Sequence, residues 1–140
     1  MIPETIGHDN YAILDIIMKY GANKYGPNSE SMPPLNMAMI NGKNAKWADY
    51  FITKYKVDVN YRGKAKTNGD EPAINVAAFF NNVEGLKLLV KHGADINNST
   101  SQGINAIQNA AQRNSLDAAK YLIEQKANLK GYNSATYNAI

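Results

Sequence analysis

Apolar residues recur along this chain at helical rather than strand spacing. Leu86, Leu89 and Val90 fall at i, i+3 and i+4, with Leu88 beside them. Ile74, Ala77 and Ala78 repeat that spacing one element earlier, before Asn81-Asn82 interrupts the run. The pattern predicts helices near 10–20, 34–41, 45–55, 73–81, 84–92, 106–113 and 116–125. The small pairs Ala77-Ala78, Ala110-Ala111 and Ala118-Ala119 let such helices approach closely. The fold class expected is all-α.

The helices come with a repeated phrase. It reads KYGAN at Lys19–Asn23, KYKVDVN at Lys54–Asn60, KHGADIN at Lys91–Asn97 and EQKANL at Glu124–Leu129, and each copy follows an apolar run. With Ala22, Val57, Ala94 and Ala127 taken as equivalent, the spacings are 35, 37 and 33 residues. Self-similarity at such a period is the mark of a stacked array, in which each unit buries its apolar face only against its neighbours. A second anchor opens each helix pair: Leu35, Ile74, Ile107 and Ile140, each preceded by Pro or Ala.

These two anchors form a coordinate frame. The steps Ile74 to Ala94 and Ile107 to Ala127 are both 20 residues, but Leu35 to Val57 is 22, which places two extra residues around Asn41–Asn44. The connection from Val57 to Ile74 is 17 residues where its counterparts have 13, so Tyr61–Asp70 carries a polar, Gly-punctuated insertion. The frame divides the chain into a partial first repeat (1–24), a second (25–60), a third (61–97), a fourth (98–130) and the start of a truncated fifth (131–140). At the helix ends, Gly21 and Gly93 supply the left-handed residue that stops a helix. Lys56 and Lys126 stand at the corresponding positions, so those two ends are expected to carry strain or a different cap.

Composition narrows the chemistry. The 140 residues hold no Cys, which removes disulfides, thiolate metal sites and Cys nucleophiles together. The formal charge of +3 falls well short of the dense Lys/Arg of a nucleic-acid binder. The chain has no apolar run of membrane-spanning length and no basic-then-apolar leader, so a cytoplasmic setting is expected. His8 and His92 form no metal-ligand spacing. Neither has a nucleophile-elbow motif to serve, and Gly63 and Gly69 lack the strand-to-helix setting of a phosphate loop. No catalytic residue, metal or cofactor is therefore assigned, and no small-molecule substrate. His92 reads as a helix-terminal residue, His8 as part of a cap with Asp9 or Asn10, and Trp47 as aromatic packing on the outer face beside Tyr50 and Phe51.

The phrases resemble the ankyrin repeat, whose consensus runs roughly G-x-T-P-L-H-x-A-A, a turn, an apolar helix, then G-A-D-V-N. Gly103-Ile104-Asn105-Ala106-Ile107-Gln108-Asn109-Ala110-Ala111 matches the opening, and Gly93-Ala94-Asp95-Ile96-Asn97 matches the closing almost letter for letter. Pro34-Leu35-Asn36-Met37-Ala38 matches P-L-H-x-A with Asn for His. The resemblance implies a helical-repeat solenoid of antiparallel helix pairs joined by β-hairpin-like loops. No unit keeps Thr-Pro-Leu-His intact: Pro33, Pro72 and Asn105 stand for Thr, and Asn36, Asn75 and Gln108 for His. Asn and Gln can still hydrogen-bond backbone of the neighbouring repeat. Asn109 sits where an apolar residue usually packs, which predicts a looser fourth repeat.

The resemblance also implies a concave groove and a non-enzymatic protein–protein interaction module. Carried over residue by residue, the groove positions are Ile40 and Asn41, Phe79 and Phe80, and Gln112 and Arg113. Phe79-Phe80 is the sharpest signal, because exposed aromatics near a patch centre are typical hot spots. Tyr25, Tyr61, Arg62, Lys64 and Lys66 add candidate contacts at the hairpin tips, where the basic loop would meet an acidic partner. In such proteins of microbes and large viruses the partner is often another organism's protein, reached in the host cytosol, or a toxin being inhibited. The competing readings are a regulatory or targeting fragment of a larger enzyme or effector, a self-associating structural repeat, and nucleic-acid binding through the basic loop, which the modest charge argues against.

Overall fold

A computed structural model describes residues 2–28, 31–63 and 70–129. Among these residues seven α-helices follow one another: α1 (Ala12–Lys19), α2 (Pro34–Ala38), α3 (Ala45–Tyr55), α4 (Ala73–Phe79), α5 (Val83–Lys91), α6 (Ala106–Gln112) and α7 (Leu116–Glu124). Each closely follows its predicted span, shifted or trimmed by up to three residues at an end. α2 stops at Ala38 because the extra residues after it form their own 3-10 turn, Gly42–Asn44, which Asn41 caps by accepting from the Lys43 N–H at 2.9 Å. α2, α4 and α6 form one row and α3, α5 and α7 the other, with α2 packed on α3, α4 on α5 and α6 on α7. α1 joins the second row beside α3, its Asp15 meeting Tyr50 and Lys54, and Asn10 accepts from its Ala12 N–H at 2.9 Å.

The core runs unbroken through the stack. Leu35, Ile74 and Ile107, which open the three helix pairs, are all buried, as are Leu14, Phe51, Leu86, Leu89 and Leu122 from the second row. Removing such surface from water is what drives helices this short to form at all, since isolated helices of this length are marginal. Trp47 corrects an expectation. It is 1% exposed, stacks on Phe51 at 4.8 Å and donates from Nε1 to Thr5 Oγ1 at 3.1 Å. It is a core residue, covered by the N-terminal segment that carries Thr5.

Polar side chains tie the units at fixed register. The Asn36 amide donates to the Glu71 carbonyl at 2.6 Å and the Asn75 amide to the Ile104 carbonyl at 2.9 Å, so Asn does bridge neighbouring repeats from the consensus His position. Gln108 acts locally instead, closing a capping box with Asn105. Asn109 is no packing defect. It is 8% exposed, and its amide donates to Glu71 Oε1 at 2.7 Å and to the Asn75 carbonyl at 3.3 Å, binding the fourth unit to the third. At the tips, Asn60 Oδ1 accepts from the Asp95 N–H and Asn97 Oδ1 from the Asn128 N–H, both at 2.7 Å. An isolated antiparallel bridge pairs Ser99 with Asn105.

The two lysines at helix ends are strained as expected. Lys56 has φ 53° and Lys126 φ 65°, the left-handed region that Gly93 enters at 89° without steric cost.

Candidate functional site

α2, α4 and α6 present their C-terminal ends side by side, and the residues at and just beyond those ends form the most exposed apolar surface of that row. Ile40 and Phe80 are each 44% exposed, Phe79 is half-buried, and Asn41, Gln112 and Arg113 are exposed. Five of the six positions read as groove-facing are therefore open to solvent, and the sixth, Phe79, is in contact with two of them, Phe80 and Arg113. Phe80 stands edge-on against Phe79 with ring centroids 5.0 Å apart. The Arg113 guanidinium, carried by the next unit, sits 4.4 Å over the Phe79 ring. Beneath them the Ser115 hydroxyl donates to the Phe79 carbonyl at 3.2 Å, fixing the end of α4 against the start of α7. An asparagine in the turns after α4 and α6 supports this layout: Asn81 and Asn114 take φ 54° and 56°, and Asn81 Oδ1 accepts from the Ala118 N–H at 2.9 Å.

The loops expected to form the hairpin tips are engaged with one another. Tyr25 and Tyr61 stack at 4.1 Å, both half-buried, and the Tyr25 hydroxyl accepts from the Asp58 N–H at 2.9 Å. Lys24 lies over Tyr25 and donates to the carbonyls of Tyr55 and Lys56 at 3.0 and 3.1 Å. Arg62 pairs with the buried Asp70 at 3.5 Å and donates to the Ser99 carbonyl. Asp70 in turn accepts from the Ser101 N–H and hydroxyl, each at 3.1 Å. Arg62 thus has intramolecular partners on the neighbouring hairpin, which its position in a basic loop gave no sign of. Lys64 and Lys66 lie outside the described residues, as do Ile140 and the expected start of a fifth repeat.

A second polar cluster lies on the opposite row. Asp15 of α1 accepts from the Tyr50 hydroxyl at 2.8 and 2.9 Å and from the Tyr55 hydroxyl, with Lys54 Nζ at 3.1 Å. Tyr11 stacks on Tyr50 at 4.0 Å. The Tyr55 bond, more than any other contact, holds the Asp15 carboxyl below its usual value. Burial, and then Asp15, push the Tyr55 hydroxyl up to about 12. Nearby, His92 Nε2 and Asp49 Oδ1 lie 2.6 Å apart, joining α5 to α3. These groups fasten α1 and α5 to α3. Sequence reading missed them because the partners are 35 to 43 residues apart and no motif links them.

Among the described residues no three potential metal ligands converge, and no helix is long and apolar enough to cross a membrane. A cleft of about 390 Å³ lies beside the start of α2, lined by Ile2, Pro3, Pro27, Met32 and Met37 among others. Among the described residues that line it, no nucleophile is paired with a base.

Two rows of antiparallel helices, tied at a fixed register and leaving one row of helix ends exposed, define a helical-repeat protein. Residues 74–123 match the family model described as ankyrin repeats (many copies). A putative ankyrin repeat protein of fowlpox virus (strain NVSL) is 30% identical over 96 residues, covering 69% of this chain and 28% of the relative. The chain carries ankyrin repeats and belongs to that family. It spans little more than a quarter of the relative it matches. Ankyrin repeats are generally protein–protein interaction modules, and the family is typically non-enzymatic.

Proposed function

We propose that this chain is a non-enzymatic interaction module whose protein partner lies across a groove formed by the inner row of helix ends and the hairpin tips. The observation that carries the reading is the contiguous Phe79–Phe80–Arg113 cluster, solvent-facing on a scaffold whose other large aromatics are mostly packed or paired. Exposed aromatics beside an arginine are the composition of interface hot spots. The division into repeats at 1–24, 25–60, 61–97 and 98–130 belongs to the same reading. Ile40 and Gln112 extend the surface to the units on either side. Tyr25, Tyr61 and Arg62 act in it as rigid hairpin supports as well as contacts. The likeness to a poxvirus protein favours a setting in which the partner is another organism's protein, met in the cytosol.

The test compares the immobilised wild-type chain with a Phe79→Ala/Phe80→Ala variant whose melting is still cooperative. Proteins captured from lysate by the wild type should be lost from the variant. Equal recovery on both would sink the groove reading. Self-association has one observation in its favour: Ile13, Ile16 and Tyr20, on and just after α1, are 63%, 54% and 83% exposed. Sedimentation at several concentrations decides it, and a strict monomer removes it.

A further inference from the structure

The two arginines of the chain are in opposite situations. Arg62 is neutralised by the buried carboxylate of Asp70 and donates to the Ser99 carbonyl. Arg113 sits over the face of Phe79, and among the described residues no oxygen accepts from it and no carboxylate pairs with it. A ring face attracts a guanidinium electrostatically but leaves its N–H fork unsatisfied by an acceptor. Arg113 is therefore a cation positioned by its neighbour, with its strongest hydrogen-bonding capacity still open.

Next to it is an exposed apolar ring. Phe80 is 44% exposed and stands edge-on to Phe79. Phe80 and Arg113 are less than about 10 Å apart, since they lie beside Phe79 at 5.0 and 4.4 Å. Neighbouring side chains on one helical turn or alternate residues of an extended strand are spaced at about 5–7 Å, within that reach.

We infer that Phe79, Phe80 and Arg113 form a composite subsite for a protein segment presenting a carboxylate beside a bulky apolar side chain. This rests on the groove reading above and names the chemistry of what the groove receives. The carboxylate takes the Arg113 fork, a bond about twice as strong as a neutral one. The apolar side chain covers Phe80, and the covering makes the arginine–carboxylate pair drier and stronger. Single-stranded RNA also stacks on aromatics beside arginine, but it needs a cationic track for its phosphates. Here the chain's other arginine, Arg62, is already neutralised by Asp70.

The experiment selects peptides from a displayed random library on the intact chain and measures the winners by fluorescence polarisation. Each is compared with a copy in which Asp or Glu is replaced by Asn or Gln. The variants are Arg113→Gln, Arg113→Lys, Phe80→Ala and Phe79→Ala/Phe80→Ala, each first shown to melt cooperatively. Winners should pair an acidic residue with Leu, Ile, Met or Phe nearby. The wild type should prefer the carboxylate form by about tenfold, Arg113→Lys by less, and Arg113→Gln not at all. Phe80→Ala should weaken both forms alike. Winners without an acid, no winners, or a carboxylate preference that survives Arg113→Gln would overturn the inference. So would oligo-uridine binding that Phe80→Ala abolishes. If winners ignore the double Phe variant, the groove reading itself fails. If they need the Phe pair and ignore Arg113→Gln, only the acidic preference fails.

Discussion

Gly85 lies so close to Asn82 that a Cβ at 85 would sit 2.5 Å from Asn82 Nδ2, and 2.9 Å from Met39 Sδ. Asn82 needs that proximity: its Oδ1 accepts from the Gly85 N–H and its Nδ2 donates to the Met39 carbonyl, both at 2.9 Å. This one side chain thus caps α5 and holds it against the preceding unit. Gly in a helix interior ordinarily costs about 1 kcal/mol relative to Ala. Gly85→Ala should reverse that sign and destabilise the chain by about 1–3 kcal/mol through overpacking. Chemical denaturation of the two proteins checks it, and a more stable alanine variant would mean the Asn82 tie is dispensable.

Lys56 and Lys126 give the opposite prediction. Both occupy left-handed backbone, at φ 53° and 65°, with no glycine to relieve it. Lys56→Gly and Lys126→Gly should each stabilise by about 0.5–1 kcal/mol, the steric relief exceeding the added freedom of the unfolded chain. The Lys24 bond to the Lys56 carbonyl involves backbone and survives the substitution. Thermal melts of the single and double variants should rise additively.

Asp15 makes stability depend on pH at the acid end. Its folded value is depressed below 3.8, so its contribution is present above that value and is lost as pH falls through the depressed one. Asp15→Asn should cost about 1 kcal/mol near neutral pH, a modest figure because the cluster is partly exposed. The difference from wild type should vanish in strong acid. Tyr55 acts at the other end. Its hydroxyl rises from 10.0 to about 12, so the stability it confers is whole below 10.0 and lost as pH climbs towards 12. An ultraviolet titration of the folded chain should show a late-ionising tyrosine that Tyr55→Phe removes.

Phe80→Ala and Phe79→Ala should separate binding from stability. Phe80 is nearly half exposed and should cost about 0.5–1 kcal/mol, whereas half-buried Phe79, with Arg113 against its face, should cost about 1–2 kcal/mol. Both should keep a single cooperative transition by circular dichroism. Unfolding of the Phe80 variant would show that ring to be core and remove it from the binding surface.

Much of this fold is legible in the amino-acid sequence, because repetition restates the same local physics. The apolar anchors Leu35, Ile74 and Ile107 are buried where the frame puts them, and the strained lysines stand out against Gly21 and Gly93 at equivalent positions. The tip ladder of Asn60 with Asp95 and Asn97 with Asn128 joins successive copies of the recurring phrase. Ile40, Phe80 and Arg113, which the resemblance places in a groove, are exposed to solvent.

What the sequence hides lies between units. Trp47 reads as an outer aromatic until the N-terminal segment covers it and Thr5 accepts its N–H. Asn109 reads as a defect until Glu71, 38 residues away, supplies its acceptor. The sequence alone determined the helices, their stacking period and the unit that repeats, since these depend on neighbours within one turn or one repeat. Tertiary structure decided which of two arginines is neutralised and which is left open over Phe79. A pairing between residues tens of positions apart is set by how units dock, and periodicity carries no record of it.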